Sequence, residues 1–292
     1  YLHRRQRQMC IRDSNNTVEE KRNNKRTFIL FGIGGSYKPN ENIEIYSNIS
    51  ENYRSVTFAD ISIINPAFSI NPDISDERGN TIDLGIRGNI NKLISYDLTL
   101  FNLNYKDRIG FAQKEFKDGS VKSERGNIGD AIIYGLESNI DFDVNNLIIK
   151  NDNISLNVFL NTAIIDSEYI RSEENGVIGK KVEFVPNYNI KTGIKLGIGN
   201  FIFNTQYSHV STQFTDSSNA KEGNISGIIG EIPGYSLLDF SIAYRLKKIK
   251  IETGINNLTN TYYFTRRATG YPGPGIIPSP PRNSYLTLQI RF

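Results

Sequence analysis

The side chains with the most chemical capacity lie in one stretch near the end of the chain, where Arg266 and Arg267 follow Tyr262 and Tyr263. A guanidinium fork matches a carboxylate or phosphate with two parallel hydrogen bonds. Arg266 and Arg267, with Tyr263, Tyr271 and Arg282 nearby, are therefore a candidate site for an anionic, carboxylate-rich ligand. Gly270, Pro272, Gly273, Pro274 and Gly275 predict a stiff, tight loop around them with little room for regular structure. Arg54 and Arg78 form a second, weaker candidate. Glu173, Glu174 and Asp216 have the chemistry to hold a calcium ion, but solvated loop charge is the plainer reading. Gly176 to Lys180 lacks the spacing and following helix of a phosphate loop. His3 and His209 are the only histidines and Cys10 the only cysteine, which excludes a disulfide framework and leaves no metal cluster or cofactor to assign. His209 sits in a strand pattern with no nucleophile elbow, so no catalytic residue is assigned and no enzyme is read. The charge is balanced at +3, giving no electrostatic case for nucleic acid.

Those residues must be carried by strands. The periodicity predicts strands near 28–39, 43–53, 81–90, 93–107, 131–143, 153–167, 182–198, 201–214, 235–246, 249–258 and 283–292. The last is the cleanest. Leu286, Leu288, Ile290 and Phe292 share one face, and Tyr285, Thr287, Gln289 and Arg291 the other. In 235–246, Leu238, Phe240, Ile242, Tyr244 and Leu246 oppose Asp239, Ser241, Ala243 and Arg245. In 249–258, Ile249, Ile251 and Ile255 oppose Lys250, Glu252 and Asn256. No stretch reaches the roughly 20 apolar residues of a membrane helix, whereas these strands suit the roughly 9–11 residues that cross a bilayer on a tilt. The charged residues on the polar faces read as cross-strand ion pairs inside a polar barrel.

Connections sharpen the reading. Short turns fall at Pro39–Asn42, Asn89–Lys92, Asn145–Asp152, Gly199–Asn200 and Lys247–Lys248. Long loops fall at Arg54–Asn80, Arg108–Asp130, Ile170–Lys181, Thr215–Gly234 and Thr259–Arg282. The two kinds alternate, which is the asymmetry of outer-membrane barrels with short periplasmic turns and long extracellular loops. The expectation is an all-β, antiparallel transmembrane β-barrel in the cell outer membrane, with its C-terminus periplasmic. About eleven strands make an odd set, and open edges do not persist in lipid, so the chain reads as a partial barrel. In that setting the loop arginines have a second use, pairing with loop acids or with lipopolysaccharide phosphates. Residues 1–26 are expected to be a disordered or foreign segment, with 1–14 resembling translated sequencing-adaptor read-through; 27–292 is the barrel portion.

Four short motifs then carry a family resemblance. Asn256-Asn257-Leu258-Thr259-Asn260-Thr261-Tyr262 resembles the segment before the final hairpin of TonB-dependent outer-membrane receptors. Glu77-Arg78-Gly79-Asn80 followed by Asp83-Leu84-Gly85 resembles a strand start of that family, with Asp83 where Glu is usual. Tyr134-Gly135-Leu136-Glu137 resembles another. The last strand resembles the family's C-terminal assembly signal, which would place Tyr285, Leu288, Ile290 and Phe292 in contact with the barrel assembly machinery. The loop from Tyr263 to Gly275 further resembles the ferric-citrate-type receptors. The resemblance implies a monomeric 22-strand barrel plugged by an N-terminal domain, binding an iron chelate such as ferric citrate outside and driven by the TonB complex through the plug. This chain would be its C-terminal half. The rival readings are a passive porin-like barrel, a barrel-embedded hydrolase with a serine–histidine pair at its rim, or a receptor for another siderophore, haem, cobalamin or a glycan. A plug with a TonB box in the upstream coding sequence separates the receptor from the porin.

Overall fold

Side-chain alternation decides the architecture of this chain before any long-range contact does. The computed structural model describes residues 27–61, 68–117, 119, 121–146, 153–225, 227–268 and 275–291. Eleven strands follow one another in an antiparallel path: β1 (Gly32–Asn40), β2 (Ile43–Arg54), β4 (Glu77–Ile90), β5 (Ile94–Glu115), β6 (Val121–Asp143), β7 (Ile154–Ser172), β8 (Tyr188–Ile198), β9 (Phe201–Val210), β12 (Tyr235–Leu246), β13 (Ile249–Asn256) and β16 (Asn283–Ile290). A three-residue β3 (Phe68–Ile70) lies parallel against β6. The short turns between strands sit at one end. Asn91 and Lys92, both at positive φ, and Gly199 and Lys247 make three of them tight. Among the described residues β1 and β16 do not pair, so the wall is open.

Register sets the two faces. Ile45, Ile82, Leu84, Leu100, Ile194, Ile251, Leu286 and Leu288 stand exposed on the apolar face. The polar face carries hydrogen bonds: the Tyr46 hydroxyl donates to Asp97 Oδ1 at 2.6 Å, and Arg87 grips Glu44 through both carboxylate oxygens at 3.1 Å. Gly85 makes room for the Tyr46 ring, since a Cβ there would stand 2.1 Å from it.

The opposite end departs from expectation in four places. The loop predicted at Arg108–Asp130 is mostly strand, because β5 and β6 run on as a ribbon past irregular pairing at Tyr105 to Ile109. Asp107 at φ 55° and Gly129 at φ 154° supply the kinks, and their turn-like residue types hid the continuing ladder. Residues 182–187, expected in a strand, form irregular chain with Phe184 at positive φ. The 201–214 strand ends at Val210; Gln213–Phe214 belongs to β10, which pairs with β11 (Glu231–Ile232) across the sheet end. The last loop, expected to be irregular, holds a hairpin of β14 (Phe264–Ala268) and β15 (Gly275–Pro278). A short helix, α1 (Phe58–Ile61), precedes β3.

The buried core of the described chain sits at this end. One cluster joins Ala112, Ile128, Ala131, Tyr169, Val177 and Val182; a second joins Val56, Ile74 and Ile109; a third joins Phe68, Ile228 and Ile229. Each draws residues from different connections, so the long segments pack into a common cap.

Candidate ligand-binding site

Consecutive residues of a strand point to opposite sides, and that splits the arginine pair singled out in the sequence. Arg267 turns into the cap. Its guanidinium donates to the Gly227 carbonyl at 2.9 Å and the Glu231 carbonyl at 3.0 Å, and lies 5.3 Å from the Phe264 ring centre. Gly230 lets it approach, since a Cβ there would stand 3.1 Å from its Nη2. Burial pushes the Arg267 pKa down, against the pull of Glu231. Arg267 therefore ties the β14–β15 hairpin to the β10–β11 segment. Arg266 is exposed and, among the described residues, makes no hydrogen bond or ion pair. The Tyr263 ring packs 4.7 Å from that of Tyr235, Tyr262 is 87% exposed, and Arg282 is an exposed side chain whose backbone amide donates to Asn260. Tyr271 and Phe292 lie outside the described residues.

A second arginine group lines a cavity of about 370 Å³ on the polar face beneath the cap, where Arg54, a candidate from the sequence, is joined by Arg108 and Arg125, which were missed in the sequence. Each is matched by an acid. Arg108 meets Glu183 at 2.7 Å, and the Tyr169 hydroxyl donates to the same oxygen at 2.7 Å. Asp60 accepts from Arg54 at 2.8 Å and from Arg125 at 2.7 Å. Glu77 accepts the Ile109 amide at 2.8 Å. Arg125 also lies over the Phe111 ring, 4.6 Å from its centre. Gly110 is required, because a Cβ would stand 2.5 Å from Glu183 Oε1. That oxygen is buried and has no partner among the described residues, which makes the cavity wall acceptor as well as donor.

Asp60 is the hinge of this group. Burial opposes its ionisation, but the Thr57 hydroxyl and amide, with Arg125 and Arg54, outweigh it and hold the carboxyl at about 2. Thr57-Phe58-Ala59-Asp60 is a capping-box pattern with Asp at its fourth position, and the Asp60 carboxylate reaches back to the Thr57 amide at 2.9 Å. That signal was in the sequence. The partners of Asp60 were not, since Arg125 is 65 positions away.

The other charged candidates are engaged locally. Glu174 pairs with Lys114 at 2.8 Å, and buried Asp216 takes the amides of Ser218 and Ala220. On the polar face, Lys250 pairs with Glu252, and Asp239 accepts the Asn257 amide at 2.8 Å. Arg78 lies in β4 on the apolar face, away from Arg54 and from the cavity. The rim does hold one serine–histidine pair, His209 Nδ1 to Ser236 Oγ at 2.9 Å, with the Tyr207 hydroxyl 3.0 Å from that Oγ. No acid or amide is bonded to the His209 ring among the described residues, so the pair lacks the orienting group of a hydrolytic triad.

A wall that is greasy on one face, hydrogen-bonded on the other and capped at one end only defines a transmembrane β-barrel of the outer-membrane type. The chain belongs to the TonB-dependent receptor-like β-barrel family, whose model matches residues 11–258. Among solved structures it is similar to the unliganded ferric citrate transporter FecA, at 22% identity and a TM-score of 0.69 over 89% of this chain and 37% of that one. It is also similar to the copper transporter OprC, at 16% identity and 0.68 over 92% of this chain and 40% of that one. A third is the ferric yersiniabactin uptake receptor FyuA from Yersinia pestis, at 17% identity and 0.67 over 92% and 38%. At these identities the likeness is one of fold. The chain spans about two fifths of the length of the structures it matches.

Proposed function

We propose that this chain is the C-terminal barrel portion of an outer-membrane receptor that takes up an iron chelate, with a polycarboxylate chelate such as ferric citrate as its ligand. The observation that carries the reading is the exposed guanidinium of Arg266, unpaired among the described residues and presented by a hairpin that Arg267 anchors to the cap. A free guanidinium suits a carboxylate ligand, whereas the cavity arginines are already neutralised by Asp60, Glu77 and Glu183. In this reading Arg266, Tyr263, Tyr271 and Arg282 face the ligand, and Arg267 positions the hairpin. The capped end is extracellular and the short turns are periplasmic. The TonB complex acts through an N-terminal plug, lipopolysaccharide surrounds the wall, and the barrel assembly machinery reads the strand ending in Phe292. The receptor is a monomer and catalyses no reaction.

The test uses the full-length receptor and ferric citrate in isothermal titration. Arg266→Ala is expected to weaken binding by about tenfold or more, the usual scale for a charge-assisted contact. Affinity unchanged in Arg266→Ala would remove the ligand assignment. Binding of a haem, cobalamin or catecholate probe in place of ferric citrate would redirect it.

A further inference from the structure

We propose that the apolar face carries, at its cap end, a binding site for the phosphorylated headgroup of a membrane lipid, built on Arg78 and Lys106. These two residues stand directly opposite each other in the β4–β5 ladder. Both are exposed, and among the described residues neither makes a hydrogen bond or a salt bridge. Like charges in that position repel and weaken a sheet, so nothing within the described chain accounts for the pair.

The neighbouring groups do not neutralise it. On the β2 side Glu51 accepts the Phe31 amide at 3.1 Å, and Asp76, two residues before Arg78, accepts the Tyr53 hydroxyl and the Val56 amide, the latter at 3.0 Å. On the β6 side Asp130 feels the charge of Lys106, but its oxygens are held by Arg171 at 2.7 and 3.1 Å and by the Asp107 amide at 3.0 Å. Further along the same rim, Lys181 is paired with Asp166. Arg78 and Lys106 are thus a facing pair of like charges with no acid bonded to either among the described residues.

What lies beneath identifies the occupant. The Asn104 amide donates to Asn80 at 2.9 Å and to Asn102 at 2.6 Å, forming a polar step two ladder positions below the cations on the same face. Below that step the face is apolar through Ile82, Leu84, Leu98 and Leu100, with Leu84 and Leu100 more than half exposed. The order is cation pair, amide step, hydrocarbon surface. An amphiphile fits it in the same order, with its phosphate between a guanidinium fork and an ammonium, its polar linkage at the amides and its acyl chains on the leucines. A free phosphate would use only the top of the site. The inference rests on the membrane-barrel architecture and not on the ligand assigned above.

The test is native mass spectrometry of the full-length receptor in detergent, titrated separately with phosphatidic acid, diacylglycerol and inorganic phosphate. Phosphatidic acid is expected to bind, and Arg78→Ala with Lys106→Ala to weaken it by about tenfold or more. Arg78→Lys with Lys106→Arg keeps the charge and should retain the adduct. Lys114→Ala, a cap cation whose partners are Glu124 and Glu174, should leave it unchanged. Equal retention by the double alanine variant, loss in Lys114→Ala alone, or inorganic phosphate binding as tightly as phosphatidic acid would each overturn the proposal.

Discussion

Leu288 on the wall is 62% exposed, whereas Tyr169, a bulkier side chain in the cap, is completely buried. The wall is held by backbone ladders and by lipid on its outside, so its apolar residues need no protein partner. The cap meets water and must bury its own apolar residues, which it does in clusters assembled from several connections. Charge pairs differ in what they join. Wall pairs lie within a strand, as Lys250–Glu252, or across one ladder, as Arg87–Glu44, while the cap pair Arg108–Glu183 ties a strand to an irregular segment 75 positions away. The difference teaches that this chain builds its wall from local pattern and its cap from contacts between segments distant in sequence.

The comparison breaks most sharply at Asp60. Replacing it with alanine strands Arg125 beside the cavity, leaves Arg54 only the longer contact to Glu77 at 3.6 Å, and should cost about 4 kcal/mol of cap stability, the scale for removing one partner of a buried pair. Hydrogen exchange in the full-length receptor should then quicken in 55–61 and 121–128 and stay slow in β8, β9 and β12. Quickening across the wall would mean that cap and wall are one cooperative unit. The converse substitution, Ile194→Arg, puts a charge in the middle of the apolar face of β8 and should cost about 3 kcal/mol. It is read as a lower midpoint for heat-induced loss of the folded band on a gel. A midpoint equal to that of the parent would show that this face does not meet lipid.

The same division explains what the sequence made legible. Leu286, Leu288 and Ile290 alternate with Tyr285, Thr287 and Gln289 because register dictates the wall one residue at a time. Strand order, the two faces and the end that bears the long connections could therefore be read from pattern alone. The ribbon of β5 and β6 could not, since Asp107 and Gly129 look like turn residues until the pairing across them is known. The arginine site was half legible. Arg266 and Arg267 were visible as residues, but their opposite directions follow from β14, which only the pairing with β15 reveals. Of the cavity arginines only Arg54 stood out in the sequence, and Arg108 and Arg125 had no local signature. Their meaning comes from Asp60 and Glu183, brought in by segments distant in sequence.

Acid gives the finest test of the division, because it acts on charge and leaves the ladders alone. The Asp60 carboxyl is held at about 2, below its ordinary value of 3.8. A carboxyl depressed in the folded state contributes stability above its unfolded pKa, and that contribution is lost as pH falls through the folded value. The cap should therefore be at full strength above pH 4 and lose about 2 kcal/mol as the pH falls from about 4 to about 2. Exchange rates in 55–61, corrected for the intrinsic effect of pH, should rise over that interval while those of β9 and β12 hold. Asp60→Asn keeps the shape but cannot titrate, so its cap should be weaker at neutral pH and its acid slope nearly flat. A slope in Asp60→Asn as steep as in the parent would assign the acid response to other carboxylates and leave Asp60 a packing residue only.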